Sequence, residues 1–139
     1  MANLVVDSGV WVASFLPNDK YHSEAAQFVD EFRAGTHHCH LPYLVLVETC
    51  ASVARQVQAG RMAYISWVRQ SFEEWTQQGL VSWYDLNQQR THSTVDFNLG
   101  LPNPLRGADS VMASLAEELG YSLKAFDGEI LNRYPGATP

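Results

Sequence analysis

The first apolar run of the chain, Leu4-Val5-Val6, is cut off by a carboxylate, Asp7, and apolar residues return at Val10-Trp11. So short a run, closed by Asp7-Ser8, reads as a buried strand handing over to a helix that Asp7 or Ser8 caps. A chain that repeats this alternation is constrained to an α/β architecture with a mainly parallel sheet.

The alternation does repeat. Pro17-Asn18-Asp19 is a turn. A helix is expected from about His22 to Ala34, with Ala25, Phe28, Val29 and Phe32 on one face and Gly35 beyond its end. His38 to Leu41 reads as a second strand. Pro42 is expected to open a long helix, since proline suits the first helical position. Leu44, Val47, Ala51 and Ala54 give that helix its apolar stripe, and Gly60 ends it. Another helix spans about Arg61 to Gln78. Leu80 to Tyr84 is a third strand, and Gln88 to Leu99 a further helix. Arg106-Gly107-Ala108-Asp109 opens a helix running through Leu119. Ser122 to Phe126 is the last strand and Gly128 to Tyr134 a closing helix. One domain over residues 1–134 is expected, with Pro135 to Pro139 as a frayed tail.

Composition fits one folded domain. The chain has 139 residues, 46% hydrophobic and 17% charged. No apolar stretch is long enough for a bilayer. Asp7 interrupts the opening run and no basic segment precedes it, which speaks against a secretory signal. Cys39 and Cys50 form no disulfide framework, so a reduced, cytoplasmic setting is expected. A net charge of −6 opposes a passive polyanion binder. It does not oppose an enzyme that meets phosphate through a divalent cation.

Four acids stand in apolar company: Asp7, Glu48, Asp109 and Asp127. An unpaired charge in such a setting is costly, and like charges cannot pair with each other. They can share a cation. Ligands of open α/β sheets collect outside the carboxyl ends of the strands. Asp7 and Asp127 follow strands, and Asp109 begins a helix facing the same edge. Oxygen donors suit Mg²⁺ or Mn²⁺, ions that promote phosphodiester hydrolysis. Each acid also has a plainer reading: Asp7 as an N-cap, Asp109 as a partner of its helix dipole, Asp127 as a turn residue, and Glu48 as a partner of Arg55.

The segments Val5-Val6-Asp7-Ser8-Gly9-Val10-Trp11, Pro42 through Val47-Glu48, Arg106-Gly107-Ala108-Asp109-Ser110 and Leu123-Lys124-Ala125-Phe126-Asp127 together resemble PIN domains, most of all the VapC-type ribonuclease toxins. The resemblance covers nearly the whole chain. It implies a parallel sheet flanked by helices and an endoribonuclease. Asp7, Glu48, Asp109 and Asp127 would be its catalytic, metal-binding acids, with Mg²⁺ or Mn²⁺ as cofactor. It also implies an RNA substrate, a cognate antitoxin protein and a homodimer. One departure is Ala125, where the family often has Thr or Ser.

Ser8 and Arg106 are the candidate substrate contacts. His37-His38-Cys39-His40 lacks zinc-site spacing, and alternate residues of a strand point to opposite faces. The aromatic helix from Arg61 to Gln78 is the expected dimer or antitoxin surface. Two rivals remain: a non-catalytic module of this fold, and a PIN-type nuclease of RNA processing rather than a toxin. An aspartyl-phosphate enzyme would commonly show Asp-x-Asp after the first strand, and Gly9 occupies that third position.

Overall fold

A computed structural model describes residues 1–139. The elements run β1 (Ala2–Val6), α1 (Ser8–Phe15), α2 (His22–Arg33), β2 (His37–Pro42), α3 (Leu44–Gln56), α4 (Arg61–Gln77), β3 (Val81–Tyr84), α5 (Gln88–Leu99), α6 (Gly107–Leu119), β4 (Ser122–Lys124), α7 (Gly128–Arg133) and β5 (Ala137–Thr138). All strand pairs are parallel, in the order β3-β2-β1-β4-β5. The α/β expectation holds.

The chain moves outward from β1 to β2 and β3, then returns to place β4 on the other side of β1. The order therefore reverses between β1 and β4, and a crevice opens there beyond their carboxyl ends. Val6 lies opposite Lys124 at the end of this pair.

α6 lies across β2, β1 and β4, and α5 packs on α6. The remaining long helices form a second group, α1 against α2 and α3, and α3 against α4. Trp11 is the hub of that group. It meets Phe32 at 5.4 Å, Phe72 at 5.2 Å and Trp75 at 5.5 Å between ring centroids. Edge-to-face aromatic packing adds to the area these rings bury. Fully buried Val5, Val6, Val10 and Leu123 continue the core through the sheet. Trp11 thus anchors α1, and with it the chain just after Asp7.

Four local expectations are corrected. Pro42 ends β2 and does not open a helix; opposite Tyr84, it leaves that duty to Tyr43 and Leu44. The inward face of α3 carries Val45, Thr49 and Val53, while Val47 is exposed. The expected stripe was out of phase because so many residues of this helix are apolar that several faces fit a helical period. α3 also ends at Gln56, and Gly60, at φ 72°, stands at the start of α4 instead.

The tail is the fourth correction. Residues 135–139 do not simply fray: Ala137 and Thr138 add β5 to the edge of the sheet. The N–H groups of Leu123 and Ala125 donate to Gly136 and Thr138, both at 3.0 Å. Buried backbone donors need partners, and β5 satisfies these two.

Candidate functional site

Asp7 sits one residue past β1, in the crevice between β1 and β4. Its backbone N–H donates to the Lys124 carbonyl at 2.9 Å, and its Oδ2 accepts from the Gly9 N–H at 3.2 Å. It is the N-cap of α1, as the plainer reading holds. Only 6% of it is exposed. Its carboxyl is pushed up to about 7, by burial above all and also by the charges of Asp109 and Glu48, against the lowering effect of the Gly9 N–H. A helix cap alone gives no reason to bury a carboxylate among other acids.

Glu48 lies in α3, on the turn after Val45, and is half-buried. Burial raises its pKa first and Asp109 second, while the Ser8 hydroxyl lowers it. Asp109 lies in the first turn of α6 and is also half-buried. Burial raises it, Asp127 adds to the rise, and Arg106 opposes it. Asp127 is exposed. It caps α7, its Oδ1 accepting from Glu129 at 2.8 Å and Ile130 at 3.3 Å. The sequence-based premise of four acids in equally apolar settings thus holds only in part. Asp7 is deeply buried, two acids are intermediate, and Asp127 faces solvent.

The fold nevertheless draws the four into one electrostatic neighbourhood. Asp7 feels Asp109 and Glu48, and Asp109 feels Asp127. The loop before α6 is pinned: Asn98 donates to the Leu105 carbonyl at 2.9 Å and accepts its N–H at 2.8 Å. None of the four acids is in an ion pair; Arg106, the nearby cation, pairs with Glu129.

The donor set fits a hard divalent cation. It is made of carboxylate oxygens that lack a cationic partner, gathered beyond the carboxyl ends of β1 and β4. The acids stand in each other's field without closing on a point: no three His, Cys, Asp or Glu side chains converge tightly enough to enclose an ion. Mutual repulsion favours that spacing.

Ser8 is half-buried beside Glu48, whereas Arg106 projects outward with 80% of its side chain exposed. Ala125 is fully buried at the end of β4 and offers no hydroxyl to the acids. Sequence reasoning passed over Glu129, a fifth carboxylate whose charge reaches Asp109. Its position two residues beyond Asp127, in the first turn of a helix, was the available signal.

The histidine run is absorbed by the sheet. His40 bridges Tyr84 Oη at 2.8 Å and Asn3 Oδ1 at 3.0 Å, while His38 meets Ser82 Oγ at 2.8 Å. The aromatic face of α4 is mostly core, with Phe72 and Trp75 buried, but Trp67 and Met62 remain exposed. No helix is long and apolar enough to cross a membrane.

No protein-family model and no curated protein matches the chain in sequence. Solved structures match it in shape. VapC20 of Mycobacterium tuberculosis, a toxin that cleaves the sarcin-ricin loop, is 16% identical with a TM-score of 0.71, over 93% of each chain. VapBC of Salmonella typhimurium bound to DNA matches at 14% identity and a TM-score of 0.68, covering 99% of this chain and 96% of that one. VapBC2 of Rickettsia felis, bound to a promoter DNA fragment, matches at 13% identity and 0.67, over 97% and 95%. The chain has the PIN-domain fold of VapC-type toxins.

Proposed function

We propose that this chain is a metal-dependent endoribonuclease, the toxin of a toxin–antitoxin pair, with Mg²⁺ or Mn²⁺ as cofactor. One observation carries the reading. A carboxylate, Asp7, is buried at the switch point of a parallel sheet, within the field of Glu48 and Asp109, with no cation beside it.

Asp7, Glu48 and Asp109 would hold the ion, and Asp127 completes the set. A divalent cation bound there would supply activation of water and neutralisation of charge on the phosphate. The protein's own residues do the rest. Gly9 and Lys124 fix the backbone of Asp7 and the direction of its carboxylate. The Ser8 hydroxyl stabilises the charged form of Glu48. Arg106, exposed at the mouth, meets the phosphate backbone of RNA.

The partners follow from the fold neighbours, which include complexes named VapBC and FitAB. This chain would likewise be held by an antitoxin, form a homodimer and act in the cytoplasm. Exposed Trp67 and Met62 on α4 offer surface for such contacts. The test is cleavage of RNA by the purified chain with Mg²⁺ or Mn²⁺, and in EDTA. Cleavage that requires the ion and is abolished by Asp7→Asn is the expected result. Cleavage that persists in EDTA or in that variant would overturn the reading.

A further inference from the structure

Glu129 holds an arginine on each of its oxygens. Oε2 lies 3.5 Å from Arg106 Nε, and Oε1 lies 3.4 Å from Arg133 Nη2. The two arginines come from different elements, Arg106 from the N-cap of α6 and Arg133 from the last turn of α7. They are held unequally. Arg133 also donates from Nη1 to the Pro104 carbonyl at 3.0 Å, and 35% of its side chain is exposed. Arg106 has only Glu129, and 80% of its side chain is in solvent.

Long, exposed pairs of this kind contribute little to stability. The arrangement is therefore a poor clamp. It is a good holding place, because the arginine groups that pair with a carboxylate also pair with a phosphate, and loose single contacts leave them free to exchange. The location matters too. Arg106 lies three residues before Asp109 and its field lowers that carboxyl, while Arg133 shares a helix with the Asp127 cap. On a chain with a net charge of −6, cations at the rim of an acidic crevice are where a polyanion can gain attraction.

We infer that Arg106 and Arg133 form a phosphate-binding subsite beside the acidic crevice, and that Glu129 occupies it in the free protein as an internal competitor. The inference rests on the nucleic-acid reading above and deepens it. Arg133 is the fixed half of the subsite and Arg106 the movable half. An incoming RNA phosphate displaces the Glu129 carboxylate from Arg106. Glu129 thereby sets RNA affinity and takes no part in the reaction itself.

The test measures binding of a short fluorescent single-stranded RNA to the full chain, in Ca²⁺ and in EDTA, across a range of salt. Glu129→Gln is expected to bind RNA about three- to tenfold more tightly, with an unchanged melting temperature. Arg133→Gln and Arg106→Gln are expected to weaken binding and to reduce the salt dependence by roughly one phosphate contact each. In the Glu129→Gln/Arg106→Gln double variant the gain is expected to vanish. Unchanged or weaker binding by a folded Glu129→Gln protein would overturn the subsite. If the wild type cleaves RNA in that case, the nuclease reading stands alone. If Glu129→Gln tightens RNA binding but no variant or wild type cleaves, the subsite stands and the nuclease reading falls.

Discussion

The Asp7 N–H and the Lys124 carbonyl are joined by a 2.9 Å hydrogen bond, so β1 and β4 stay tied right up to the residue that carries the buried carboxylate. Two neighbouring parallel strands thus hold the acid at the point where the strand order reverses. The crevice is formed by topology, and this bond fixes the acid within it.

Asp7 carries a cost in the metal-free protein. Its folded pKa of about 7 lies above the ordinary 3.8. The folded state therefore favours the protonated form, and stability falls as pH rises from about 4 through 7. Each pKa unit is worth about 1.4 kcal/mol, so the full gap corresponds to roughly 4 kcal/mol as an upper bound. Asp7→Asn is expected to raise the melting temperature in EDTA at pH 8 and to have little effect at pH 4. Saturating Mn²⁺ should raise the wild-type melting temperature and leave that of the variant nearly unchanged. Equal Mn²⁺ responses in the two proteins would remove Asp7 from the site.

The ends of the RNA products report the nucleophile. Attack by water with departure of the 3′ oxygen leaves a 5′-phosphate and a 3′-hydroxyl, whereas attack by the 2′-hydroxyl leaves a cyclic phosphate. Mass spectrometry of a cut oligonucleotide is expected to find the first pair. Asp109→Asn should slow cleavage by at least about a hundredfold, in keeping with loss of a group that acts on the transition state. In cells it should also relieve growth inhibition caused by the wild-type chain. Cyclic phosphate ends would rule out the hydrolytic route.

Gly9 is constrained by the acid it serves. A Cβ added there would lie 3.1 Å from Asp7 Oδ2, the oxygen that Gly9 itself holds. Gly9→Ala therefore displaces the carboxylate by a few tenths of an ångström or bends the start of α1. Cleavage is expected to drop while RNA affinity stays within about twofold, because a small misplacement of a reacting group is expensive. A variant with wild-type turnover would show that the position of this oxygen is not critical.

His40 gives the fold an acid-sensitive layer. Burial is the main cause of its lowered pKa, and His38 adds to it, the two rings lying 4.7 Å apart. Because the folded pKa is depressed, its contribution is present above about 6.5 and is lost as pH falls through the folded value. In the Asp7→Asn protein, where the opposing gain from Asp7 is absent, urea titrations between pH 7 and 5 should show declining stability. Adding His40→Gln should flatten that decline, at a constant cost from the altered contact with Tyr84. Parallel pH curves for the two proteins would assign the acid sensitivity elsewhere.

The C-terminal residues contribute to the sheet. Deleting residues 135–139 removes the acceptors of the Leu123 and Ala125 N–H groups. At about 0.5–1.5 kcal/mol per hydrogen bond, a loss of roughly 1–3 kcal/mol is expected in denaturant titrations. No loss would mean that β5 adds nothing to the stability of its neighbour.

The sequence by itself determined the alternation of strands and helices, most of their boundaries, and the acids at strand ends and helix starts. Those signals are local: an apolar run, a capping acid, a glycine after a helix. What the sequence could not determine depended on which surfaces meet. α3 is apolar on several faces, so packing alone decided that Val45, Thr49 and Val53 face inward and Val47 outward. Ala137-Thr138 has no strand signal, and becomes a strand because β4 presents an open edge. Asp7 and Asp127 look alike in sequence, each an acid that follows a strand. Tertiary structure made one deeply buried and left the other in solvent, since β1 lies at the centre of the sheet and β4 nearer its edge. The Glu129 bridge between α6 and α7 likewise exists only in three dimensions, because it joins residues 23 positions apart whose proximity no local pattern encodes.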